Sequence, residues 1–236
     1  MSALERFKAC ERRASTVDLW QREKLMNEHR QAALIGGCLA LSLPQSELEQ
    51  RFKELLAEGC TADFIEDIVR QIGCYIGYPK VRVAVIALET ITGHPATTPP
   101  TNPIWMLSDD DRYAAGIADY NQLNPTALST IRAAFDDAAP DLANLTFRAF
   151  GDLFASSRLS LKTRQFATVT ALACLGGVAP QLRFHFGASL HVDITFEELV
   201  EIVYITQYLA GMPAAYNAMV ELKAAFESQG EPPPYK

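Results

Sequence analysis

Apolar residues recur along this chain at intervals of three and four, the repeat of an α-helix that turns one face to a core. Phe64, Ile65, Ile68, Val69 and Ile72 form one such stripe, and Leu199, Ile202 and Val203, followed by Thr206, form another. The two-residue alternation of a half-buried strand is scarce, so the pattern predicts an all-α fold. Thr195 and Glu198 have the spacing of a capping box, which places a helix start near Thr195. Thr61 can cap the corresponding earlier stretch, but Phe64 stands where the box needs a glutamate. The longest apolar run, residues 166–180, is shorter than the roughly 20 residues that cross a bilayer and reads as one buried core helix.

The stripes also repeat each other. At a constant offset of 134, residues 61–88 align without a gap on residues 195–222. The same offset pairs Arg30 with Arg164, Gln31 with Gln165, Ala33 with Ala167, Leu48 with Leu182 and Phe52 with Phe186. Gly77-x-Pro79 and Gly211-x-Pro213 break both stretches at the same place, where glycine permits a tight bend and proline disfavours helix before it. Duplication explains this better than chance. The expected organisation is a first, degenerate repeat at 1–92, a proline-rich linker at 93–104, a more complete second repeat at 105–228 and a proline-rich tail at 229–236.

Composition narrows the function. The 236 residues carry a net charge of −7 with no Lys/Arg run, which gives no footprint for nucleic acid or anionic lipid. The first thirty residues are rich in Glu, Lys and Arg, unlike a secretory signal, so a cytoplasmic protein is expected. Five widely spaced cysteines with no C-x-x-C argue against a disulfide framework or structural zinc. His185 and His191 are six apart and would point about 240° apart around one helix, so no metal site is expected. No Rossmann, P-loop or nucleophile-elbow motif occurs, and no cofactor is expected.

The stretches RYAAGIADYN, FRAFGDLFASSRLSLKTRQ, QLRFHFGASLHVDITFEELVEIV and QYLAGMPAAYNAMVEL, in that order, resemble the carboxymuconolactone decarboxylase family. The earlier segments HRQAALIGGC and YIGYPKVRVAVIAL resemble the same unit more faintly. The resemblance implies the alkylhydroperoxidase D-like helical fold, here as two tandem repeats with a pseudo-twofold relation. It also implies a ring-shaped homo-oligomer, a trimer of tandem repeats, and lyase or isomerase chemistry on a small lactone, enolisable or phenolic carboxylated compound. The peroxidases of that superfamily carry a C-x-x-C pair; the equivalent positions here are Val178 and Gln181, and Pro44 and Glu47 in the first copy. Without thiols there, peroxide reduction has no nucleophile.

His185 is the candidate acid/base, since imidazole gives and takes protons near neutral pH. Glu201, sixteen residues on, is placed to orient it, and Arg164 to hold an anionic oxygen. Tyr208, Phe184 and Met212 are the candidate substrate contacts. The copies differ at these points: His185 corresponds to Arg51, and the family's Y-x-G-x-P tyrosine survives as Tyr75 but is Leu209 in the second copy, with Tyr208 one residue early. The first copy therefore reads as scaffold, and a non-catalytic oligomeric binding protein is the rival reading.

Overall fold

The computed structural model describes residues 1–93, 107–154 and 158–230. The predicted linker lies outside the described residues from residue 94 to its end, and the tail does so from residue 231. The described residues form twelve α-helices and no strand. In chain order these are α1 (Ala3–Arg13), α2 (Asn27–Ala40), α3 (Gln45–Ala57), α4 (Ala62–Ile76), α5 (Tyr78–Thr92), α6 (Asp109–Leu123), α7 (Ala127–Phe135), α8 (Pro140–Leu153), α9 (Leu161–Leu175), α10 (Ala179–Leu190), α11 (Phe196–Ala210) and α12 (Met212–Ser228). A π-helical segment, Ala14–Trp20, continues α1. No helix among the described residues is long and apolar enough to cross a membrane.

Local signals set the boundaries. Thr195 and Glu198 form the full capping box at the start of α11, and Thr61 accepts from the Phe64 amide at the start of α4. Gly77 and Gly211, at φ 87° and 85°, end α4 and α11 in a conformation that a side chain disfavours, and Pro79 and Pro213 then sit in the first turn of the next helix, where no N–H is needed. The apolar run at 166–180 is not one helix. It spans the end of α9 and the start of α10, because Gly176 and Gly177 both take positive φ between them.

Helices α2 and α9 form the centre. Every residue from His29 to Ala40 and from Thr163 to Cys174 is buried, and the two cross so closely that a Cβ on Gly36 would lie 2.2 Å from the Ala167 carbonyl oxygen. Around them, α3 packs on α5, α4 on α5, α10 on α12 and α11 on α12. The starts of α2 to α5 and of α9 to α12 run in step at the offset of 134, from 27 and 161 to 78 and 212. Helix α4 also packs against α9, and α11 against α2, so each group of four leans on the other's central helix. A smaller core of Tyr120, Leu123, Phe147, Phe150, Leu153 and Phe154, from α6, α8 and the residue after it, covers the side of the molecule where α4 meets α9 and α10.

Candidate active site between the two helical units

His185 lies midway along α10 and is buried. Its Nδ1 is 3.2 Å from Oε1 of Gln165 on α9, while Nε2 of the same amide donates to the His185 carbonyl at 3.4 Å. The amide's orientation is thereby fixed with its oxygen toward the ring, which makes Nδ1 the donor and leaves the Nε2 lone pair of the imidazole as its basic site. Burial pushes the imidazole down to about 3. It is neutral throughout the physiological range.

The ring that faces it comes from the other unit. Tyr75, near the end of α4, meets His185 edge-to-face with centroids 5.2 Å apart, and Phe150 and Phe154 flank the same tyrosine at 6.4 Å each. The Tyr75 hydroxyl and the Thr168 hydroxyl on α9 are buried close to each other, and neither makes a well-formed hydrogen bond among the described residues. Burial pushes the phenol well above its ordinary value, so it is a neutral donor.

Arg164 completes the wall. Its Nε donates to Gln71 Oε1 at 3.0 Å, and the Gln71 amide donates back to the Arg164 carbonyl at 2.9 Å. The guanidinium lies 4.0 Å over the Phe154 ring. Burial lowers its pKa to about 10, with the Asp119 carboxylate opposing most strongly, so the group remains cationic at neutral pH. Among the described residues its buried Nη2 has no partner, nor has Oδ2 of Asp119, whose carboxyl burial pushes up against the pull of Arg164. A buried donor left unpaired costs about 1–3 kcal/mol, more when charged. A carboxylate or enolate oxygen beside Arg164 and Tyr75 would satisfy both.

The sequence-derived candidates divide. His185 and Arg164 lie in this wall, and Phe184 borders it, edge-on to His185 at 5.1 Å and stacked on Tyr120 at 6.1 Å. Glu201 makes no hydrogen bond to His185. Arg22 holds both its oxygens, at 2.7 and 2.9 Å, because α11 turns that face toward the segment entering α2. Tyr208 packs against Trp20 at 6.5 Å and lines a different cavity. Met212 is 56% exposed at the start of α12. Sequence reasoning missed Gln165, Thr168 and the part played by Tyr75. The tyrosine was visible in its motif, but only the crossing of α4 onto α9 shows that it serves the imidazole of the other unit.

The comparisons fall on this same region. The model of the carboxymuconolactone decarboxylase family matches residues 140–224, the segment that carries Arg164, Gln165 and His185. Residues 140–224 are thus similar to that family. A curated 4-carboxymuconolactone decarboxylase from Acinetobacter baylyi is 27% identical over 129 residues, which is 54% of this chain and 96% of that protein. The relative is therefore a little over half as long as this chain. The matched segment supplies the imidazole and guanidinium, while Tyr75 comes from outside the matched residues.

Proposed function

We propose that this protein is a cofactor-independent lyase or isomerase that moves a proton on a small carboxylated lactone or a similar enolisable compound. The observation that carries the reading is one wall holding a neutral imidazole, a buried cation with an N–H that has no partner among the described residues, and a buried phenol whose polar neighbour is the Thr168 hydroxyl. Arg164 binds the substrate carboxylate through Nη2. That anion raises the imidazole's pKa from its depressed value, since a nearby opposite charge favours the protonated form. The substrate thus brings its own base into the useful range. His185 Nε2 takes a proton from the carbon next to the carbonyl, the electron pair moves onto the carbonyl oxygen, and Tyr75 donates a hydrogen bond to that oxygen. The imidazolium then returns the proton to a second carbon, which is isomerisation. In the decarboxylating variant the bond to CO2 breaks instead, its electron pair forms the same enolate, and a protonated His185 supplies the proton that replaces CO2.

The test is turnover of 4-carboxymuconolactone and a panel of related carboxylated lactones. His185→Gln is expected to lower kcat by about 10²–10⁴, the usual worth of a general acid/base, with Tyr75→Phe costing about tenfold. Arg164→Lys is expected to act mainly on KM, because it removes the fixed fork of donors. Full activity in His185→Gln would sink the assignment. A non-catalytic binding protein is the second reading, favoured by how far the free imidazole lies below the catalytic range; saturable binding of the same lactones with no product would establish it.

The matched helix starts support a further part of the proposal, that α2 to α5 and α9 to α12 are copies of one unit. Assembly of chains into a ring is supported by α1, which buries none of its residues and exposes Leu4 and Phe7, and by exposed Tyr78, Ile86, Met212 and Val220 at matching positions of α5 and α12. Light scattering should give the mass of three chains; a monomer would remove the ring.

A further inference from the structure

A partly open cavity of about 250 Å³ lies between the first unit and the end of α11. Buried Leu34, Ile35, Cys38 and Phe52 form its inner surface, with Trp20 and Leu209 at its sides. Its polar groups are Tyr208, Ser15 and one face of α3, Arg51, Glu54 and Glu58. The π-helical segment Ala14–Trp20 delivers Ser15 and Trp20 to it, and such segments recur at functional sites. At the offset of 134 these positions answer those around His185: Arg51 stands for His185, Leu209 for Tyr75, Leu34 for Thr168 and Trp20 for Phe154. Two hydroxyls have been exchanged for hydrocarbon, and the imidazole for a guanidinium.

Those exchanges decide what the cavity can hold. Arginine does not give up its proton in proteins. The Tyr208 hydroxyl is pushed up by burial, with Arg51 pulling against the shift, and burial pushes the Cys38 thiol up to about 11. None of Arg51, Tyr208 and Cys38 shuttles a proton near neutral pH. Charge excludes anions: Glu11 and Glu54 lie 3.3 Å from the Arg51 guanidinium and Glu47 lies 3.5 Å from it, and Glu58 adds a fourth carboxylate to the surroundings. A neutral ligand leaves those ion pairs intact, while an anion meets an excess of negative charge. As to size, a dry apolar cavity of about 150 Å³ accepts benzene, so this one accommodates two fused rings.

We infer that this cavity is a second ligand site, which holds a neutral bicyclic or similarly sized ring compound with one hydroxyl or carbonyl oxygen at Arg51 and Tyr208, and does not turn it over. The inference does not depend on the chemistry proposed for His185. Calorimetric titration of the full chain with 2-naphthol and with 2-naphthoate tests it. One 2-naphthol per chain is expected, bound at least about tenfold tighter than the carboxylate, in keeping with the like-charge penalty. Leu34→Phe should weaken 2-naphthol by roughly tenfold through lost volume, and His185→Gln should leave it unchanged. Should Leu34→Phe fail to fold, the pair Glu54→Gln with Glu58→Gln, which keeps side-chain size and leaves Glu11 and Glu47 paired with Arg51, serves instead. It should raise 2-naphthoate affinity about fivefold and leave 2-naphthol unaltered. Absence of 2-naphthol binding, equal or tighter binding of 2-naphthoate, or sensitivity to His185→Gln in place of Leu34→Phe would overturn the inference.

Discussion

Burial of His185 has a consequence that can be measured without a substrate. The folded protein holds the imidazole at about 3, against an ordinary 6.5, so between those values the unfolded chain binds a proton that the folded chain refuses. Stability therefore falls as pH drops below about 6.5, at up to roughly 1.4 kcal/mol per pH unit, until both states are protonated near pH 3. His29, also lowered chiefly by burial, acts in the same direction. In His185→Gln the His29 contribution remains and that of His185 is gone, so the melting temperature should depend less steeply on pH between 6.5 and 4; an unchanged slope would mean that the imidazole is solvated. Glu201 allows a complementary test. It is nearly buried and held by Arg22, so Glu201→Gln should cost about 1–3 kcal/mol in denaturant unfolding while turnover per folded molecule stays within about twofold. A large loss of kcat at full stability would return it to the catalytic group.

At the scale of the helices, the crossing of α2 and α9 is the most exacting contact. A methyl group at position 36 would lie 2.2 Å from a backbone oxygen, and backbone cannot swing aside as a side-chain tip can. Gly36→Ala should destabilise by 3 kcal/mol or about that, beyond ordinary overpacking, despite alanine's better helix propensity. Glycines 116 and 151 make the same close approach between α6 and α8, with Phe147 and Arg112 carbonyl oxygens 1.7 and 1.9 Å from the added carbon. The helices themselves were readable from the chain. Stripes such as 64, 65, 68, 69 and 72, the Thr195 box and the paired Gly-x-Pro breaks mark where they begin and end, because those signals are local. What escaped was which helix faces which. Glu201 and Tyr208 sit on α11 at spacings that suit a site beside α10, yet α11 packs on α9, α12 and α2 and carries both side chains away from the imidazole. Periodicity reports that a face is covered; it does not report by what.

For the molecule as a whole, the same crossing decides what is a folding unit. Helices α2 and α9 are buried almost all round, each using the other as core, so neither group of four helices has a complete interior alone. Fragments 1–98 and 99–236 should each show little cooperative unfolding when expressed separately, and should recover helical signal and a single melting transition when mixed. A cooperative transition in the second fragment alone would show that its core closes without α2.

The tyrosine that α4 sends across to His185 carries this dependence into the chain's history. While the imidazole relies on a ring supplied by the other half, neither half can be lost or inherited alone without blunting the site. An arrangement of that kind works as an evolutionary ratchet. On the proposed duplication, two interchangeable pieces become specialised parts, and the route back to a free-standing single unit closes.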